Sequence, residues 1–183
     1  MDAAYEAEVV ARARAGDDGA FEVIMTTYRT RLFGLAVGML RNRDAAEDVV
    51  QECFIKAYKN LARFRGESSI YTWLYRIAIN TAHNYLRRGK RGEMVDLEDV
   101  APVLESDDPG PDDAAVNVEL GHAIEAAVAT LPDRQREVFM LHYFEQLTHK
   151  EIGDVLGITE GAVKANFFHA VQKLKSALAG YVA

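Results

Sequence analysis

No convincing stretch of this chain alternates apolar and polar residues with the period of two that a half-buried strand requires. Apolar positions recur instead every three or four residues. Helical periodicity dominates, and an all-α fold is expected. The spacing predicts a first helix over roughly 3–15, stopped by Gly16, and a second over roughly 20–40. A third starts after Asp44, with Glu47 three residues on in a capping-box arrangement, and reaches about Leu61. A fourth, "YTWLYRIAINTAHNYLRR", follows the polar turn "RGESS".

The helical pattern fails once, over "GEMVDLEDVAPVLESDDPGPDDAAVNVE", which holds three of the four prolines. Residues 93–117 carry 9 Asp/Glu and no Lys/Arg. We read this stretch as an acidic linker between two small helical domains, 1–92 and 118–183. As a flexible coil, about 25 residues span about 25–30 Å. The net charge of −7 is therefore unevenly spread: residues 1–92 have 15 Lys/Arg against 11 Asp/Glu, and 118–183 have 6 against 8. Blocks of this kind say more about partners than the average does. Cys53 is the single cysteine, which excludes an intrachain disulfide and fits a reducing compartment. No apolar run has membrane-spanning length, and the acidic start lacks a signal-peptide core, so a cytoplasmic protein without membrane insertion is expected.

The fourth helix has two faces. Leu74, Ile77, Ala78, Thr81 and Tyr85 fall together as a core stripe. Trp73, Arg76, Asn80, Asn84 and Arg87 fall together on another face. A packing stripe does not account for two amides and two guanidiniums, although Trp73 fits core packing as well as an outward contact, and Arg87 and Arg88 fit a solvated helix end. On the third helix, Ala46, Val49, Val50, Cys53, Phe54, Ala57 and Leu61 form the core stripe. Asp48, Gln51, Glu52 and Ile55 form a second one, in which an Ile stands among carboxylates.

"LTHKEIGDVLGITEGAVKANFFHAVQKLK" is punctuated as a helix-turn-helix. Thr148 and Glu151 make a capping box, Gly157 suits the turn, Ile158 can plug the helix angle and Thr159 can cap the next helix. Gly153 is small where the second helix crosses. Val163, Phe167, Ala170, Val171 and Leu174 make the buried stripe. Glu160, Lys164, Ala165, Phe168 and His169 face outward, with Lys173 and Lys175 in reach of phosphates. Such a helix can enter a major groove, although an ordinary helical hairpin fits the same pattern.

Four stretches resemble, in order, the extracytoplasmic-function (ECF) sigma factors of the bacterial sigma-70 family. They are "DAAEDVVQECFIKAYKNLARF", "FRGESSIYTWLYRIAINTAHNYLRR", "LPDRQREVFMLHYFEQLTHKEIGDVLGI" and "EGAVKANFFHAVQKLK", together about half the chain. The resemblance implies a sigma-2-like domain that docks on core RNA polymerase and opens the −10 element. It also implies a sigma-4-like domain that reads the −35 element and touches the polymerase flap. It assigns −10 contacts to Phe64, Ser68, Ser69, Trp73, Arg76, Asn80, Asn84, Arg87 and Arg88. It assigns −35 contacts to Thr159, Glu160, Lys164, Ala165, Phe168, His169 and Lys173. Core-polymerase docking falls to Glu47, Asp48, Gln51, Glu52 and Ile55. Stress-responsive control by an anti-sigma factor is also implied. Where relatives often read "GTVKSRLHRA", this chain reads "GAVKANFFHA", so a −35 preference does not carry over.

An enzyme is not expected. No phosphate loop, nucleophile elbow or HExxH motif is present, and the five histidines are scattered, each read as standing alone, so neither a metal nor a cofactor is expected. A sigma-like decoy that sequesters an anti-sigma factor is the competing function, but a decoy has no need of the Trp/Asn/Arg face.

Overall fold

The computed structural model describes residues 2–89, 123–124 and 126–180. The acidic linker and His122 lie outside the described residues. Among the described residues every regular element is a helix. The chain divides into two compact units, Met1–Leu97 and Glu98–Ala183.

In the N-terminal unit α1 covers Ala3–Arg14, α2 Asp18–Leu40, α3 Arg43–Asn60 and α4 Ile70–Gly89, with a single 3₁₀ turn at Leu61–Arg63. The starts are set by local caps. The carboxylate of Asp17 accepts the Ala20 amide at 3.0 Å and is held at 2.8 Å by Arg12, so α2 begins two residues before the expected position. Gly16, at φ +94, makes the turn between α1 and α2. The expected cap at Asp44 is corrected: Asn42 accepts the Ala45 amide at 2.8 Å, and Asp44 sits inside the first turn. There its carboxylate still faces the positive helix end.

Helices α2, α3 and α4 pack on one another, and α1 packs on α2. Ile24, Leu32, Cys53, Ala57, Leu74 and Tyr75 are fully buried between them. Burying a side chain such as Leu74 contributes about 1.5–3 kcal/mol. A hydrogen bond of 2.7 Å from the Tyr28 hydroxyl to Glu6 ties α1 to α2. Cys53 is inert: burial pushes its thiol up to about 12, and Sγ lies 3.6 Å from the Leu74 carbonyl.

In the C-terminal unit a helical stretch at 126–129 leads to α5, Asp133–Tyr143, after Pro132. Next come α6, His149–Leu156, and α7, Glu160–Ala177. Helix α7 packs on both α5 and α6. Ala127, Val128, Leu131, Phe139, Ala170 and Leu174 form a small core, rimmed by half-buried Phe144, Phe167 and Val171.

Candidate nucleic-acid and polymerase interfaces

Helix α4 carries one face into the core and one outward. Ser69 starts it, its hydroxyl accepting the Thr72 amide at 3.1 Å and pairing with the Thr72 hydroxyl at 2.9 Å. Ile70, Thr72, Leu74, Tyr75, Ala78, Ile79, Thr81 and Ala82 are buried. This arc is rotated from the expected one towards Tyr75 and Ile79; Ile77 and Tyr85 are half-buried at its borders. The outward arc is as expected: Arg76, Asn80, Arg87 and Arg88 are exposed, and Trp73 and Asn84 are half-buried. Arg87 donates a hydrogen bond to Oδ1 of Asn84, which aligns the two polar groups along the helix.

Two −10 assignments change character. Phe64 is buried, and its ring lies 5.2 Å from that of Trp73, tilted by 48°. It lies against the indole and limits where Trp73 can turn. Ser69 has its hydroxyl engaged in the helix cap, and Ser68 beside it is half-buried. Gly66, at φ +73, supplies the bend of this loop.

On α3, Glu47, Asp48, Gln51 and Ile55 are exposed, while Glu52 is half-buried and paired with Lys56 at 2.7 Å. Lys56 also donates to the Thr81 hydroxyl at 3.1 Å, joining α3 to α4. Tyr58 was missed in the sequence. It is 54% exposed, three residues beyond the 48% exposed Ile55, and extends that stripe. Its hydroxyl donates to Asp18 at 2.7 Å, which holds the ring in place and raises the phenol pKa. An aromatic seven residues after Gln51 was the available signal.

The helix-turn-helix is built as its punctuation predicts. The Thr148 amide and hydroxyl donate to Glu151 at 2.9 and 2.7 Å, and the Glu151 amide donates back to the Thr148 hydroxyl at 3.3 Å. Gly157 takes φ +66. A Cβ on Gly153 would come within 2.8 Å of the Ile158 carbonyl oxygen, so the turn closes directly over this residue. Thr159 accepts the Ala162 amide at 3.2 Å and starts α7.

Thr159, Glu160, Lys164, Ala165, Phe168, His169 and Lys173 are all exposed, Phe168 to 59%. Lys164 lies 2.7 Å from Glu160 and holds that carboxylate below its usual range, first by the hydrogen bond and then by charge. Asn166 is turned back, its amide donating to the Ala162 carbonyl at 2.8 Å. The outward surface of α7 thus has one compensated ion pair, an aromatic, an imidazole and the exposed Lys173. It is suited to base edges and a thymine methyl more than to dense phosphate neutralisation.

One expectation about the histidines is corrected: His142 and His149 do not stand alone, because their rings lie 4.7 Å apart. Seven residues and a helix break separate them in sequence, so no periodicity announces the contact. Among the described residues no three His, Cys, Asp or Glu side chains converge as a metal site. No described helix is long and apolar enough to cross a membrane.

Residues 24–92 match the family described as Sigma-70 region 2, and residues 121–174 match Sigma-70, region 4. The RNA polymerase sigma-H factor of Pseudomonas aeruginosa is 37% identical over 179 residues, covering 93% of this chain and 92% of its own length. The ECF RNA polymerase sigma factor SigW of Bacillus subtilis is 34% identical over 176 residues, covering 92% of this chain and 94% of its own. The sigma factor RpoE of Bartonella quintana, solved in complex with the anti-sigma factor NepR, shares the fold. Its TM-score is 0.70 at 21% identity, over 86% of this chain and 96% of that one.

Proposed function

Since the chain belongs to the sigma-70 family as an ECF RNA polymerase sigma factor directing promoter-specific transcription initiation, we propose a division of that task among three helix faces. Residues 1–92 act as the sigma-2-like domain, 118–183 as the sigma-4-like domain and 93–117 as their acidic spacer. The α3 stripe of Glu47, Asp48, Gln51, Glu52 and Ile55, extended by Tyr58, docks on core polymerase. The outward arc of α4 holds the −10 strand unpaired. The outward side of α7 reads the −35 duplex, and the chain acts in the cytoplasm. It performs no catalytic step of its own; it supplies promoter recognition to the polymerase. Stress-responsive restraint by an anti-sigma factor, implied by the family, completes the proposal.

The observation that carries it is the arc of Trp73, Arg76, Asn80, Asn84 and Arg87 along one side of a helix whose other side is buried. An unpaired strand offers π-faces, base edges and phosphates, and is held by aromatic stacking, polar side chains and cations. All three chemistries follow one another on α4, with Phe64 backing the indole.

Run-off transcription with core polymerase tests the assignment. The wild-type chain is expected to support specific initiation. Asp48→Arg with Glu52→Arg is expected to abolish polymerase capture while leaving helicity intact, because both positions reach solvent. A double variant that retains polymerase in a pull-down refutes the docking face. A wild-type chain that binds an anti-sigma factor yet never initiates is a decoy.

A further inference from the structure

Two histidines meet where the helices of the C-terminal unit converge. His142 lies near the end of α5, His149 opens α6, and their rings are tilted by 30° at 4.7 Å between centroids. Phe167 of α7 sets its ring nearly perpendicular to His142 at 4.5 Å and lies 5.8 Å from His149. On its other side Phe167 stacks towards Phe139 of the small core at 6.3 Å. Part of the seat of α7 is therefore made of imidazole.

Hydrogen bonding indicates the charge state in which this seat is stable. Nδ1 of His142 lies 2.9 Å from the Leu147 carbonyl, which accepts, so that nitrogen carries the proton. Nε2 of His149 is sealed from solvent and meets no hydrogen-bond partner among the described residues. In a neutral ring an acceptor is left unpaired there; in an imidazolium a charged donor would be, at a larger penalty.

The surrounding charges act in the same direction. His149 stands in the first turn of α6, where the helix dipole disfavours a cation. On α6, Lys150 is its neighbour and Glu151 is engaged in the capping box. From α5 it faces His142. From α7 it faces Lys164, which opposes a positive charge, and Glu160, which favours one. Burial first, then His142 and Lys164, hold His149 below the ordinary imidazole range.

We propose that the His142–His149 pair is a positioning element that seats the recognition helix α7 through Phe167, and that protonation of His149 loosens this seat and makes −35 reading acid-sensitive. The proposal rests on α7 being the −35 reader. Its sign follows from linkage. Above the ordinary imidazole range His149 is neutral in both folded and unfolded chains, and the stabilisation is complete. As pH falls through about 6.5, the unfolded chain binds the proton first, and stability is lost down to the lower folded value. Exposed His169 is a second imidazole, on the outward surface of α7, and the test removes it.

The test uses the full chain, alone for melting and with core polymerase for initiation, between pH 7.5 and 5.5. In a His169→Gln background, the C-terminal melting transition is expected to shift downward with falling pH. Initiation from a −35-dependent promoter is expected to fall relative to a template with a pre-melted −10 bubble. His149→Phe keeps a ring and removes the titration, and is expected to flatten both profiles. A variant that retains the wild-type melting profile overturns the proposal, as does a −35 dependence that ignores pH while the melt responds. If the variant does not fold, ring-nitrogen chemical shifts of the wild-type chain decide. His149 is expected to titrate below the ordinary imidazole range, and a midpoint within that range overturns the proposal. Lys164→Ala and Phe168→Ala at pH 7.5 keep the DNA assignment separate: if both leave −35-dependent initiation intact, that assignment fails while the melting profile still reports on the histidines.

Discussion

Helices α4 and α7, to which related work is assigned, rest on different foundations. Helix α4 buries eight of its 20 residues beneath its outward arc, whereas α7 buries three of 18. The first is held by deep packing against two other long helices. The second is held by end caps, the close turn over Gly153 and the aromatic contacts of Phe167. Two surfaces of similar chemistry can thus be supported by distributed burial or by a few local contacts, and they should fail in different ways.

Leu74→Ala attacks the packed foundation and is expected to have the largest effect. Leu74 is fully buried, and a cavity at such a site costs about 2–5 kcal/mol. Calorimetry on the full chain should show the N-terminal transition falling while the C-terminal one stays in place. If both fall together, the contrast between two separately supported units breaks.

Gly153→Val attacks the local foundation. A Cβ there already meets the Ile158 carbonyl oxygen at 2.8 Å, and overpacking of this kind costs about 1–3 kcal/mol. The C-terminal transition should drop and −35-dependent initiation should fail, while opening of a pre-melted −10 template persists. An unchanged melt would show that the turn yields easily and does not fix α7.

Asn80→Ala separates surface from support. The side chain is exposed, so folding should change by less than about 0.5 kcal/mol. Loss of a base contact should cost about 1–3 kcal/mol, roughly five- to a hundred-fold in opening, visible as weaker permanganate reactivity of the −10 strand. Normal opening would reduce the arc to a solvated face.

Thr148→Ala should have the smallest effect. Removing the capping hydroxyl is expected to cost about 1 kcal/mol, again confined to the C-terminal transition. A larger loss would mean that α7 depends on the cap of α6 even more than its sparse burial suggests.

The same contrast governs what could be read from sequence. The caps and the turn of the helix-turn-helix were legible because Thr148, Glu151, Gly157 and Thr159 act on their own neighbours. The outward arc of α4 was legible because periodicity alone defines it. The buried arc was read with a rotation, since Tyr75 and Ile79 sit at its edge in the pattern and only packing against α2 and α3 decides for them. The α3 start was misplaced by two residues because Asn42 and Asp44 are both good caps. The packing of Phe64 on Trp73, nine residues on, was not read, because only the folded loop brings the two rings together. The histidine pair was not legible at all, being made by a chain reversal rather than by spacing.

The contact between Phe64 and Trp73 also has an optical consequence. Trp73 is the chain's one tryptophan, and its indole is half-buried on the arc assigned to the −10 strand. Excited at the red edge of its band, where the eight tyrosines absorb little, the full chain emits from this single place. A base stacking on the indole is expected to quench that emission, whereas docking on α3, a different helix, is expected to change it less. Strand capture can thus be timed in real time without attaching a label, and stepwise quenching along a promoter would mark the moment at which the duplex gives way.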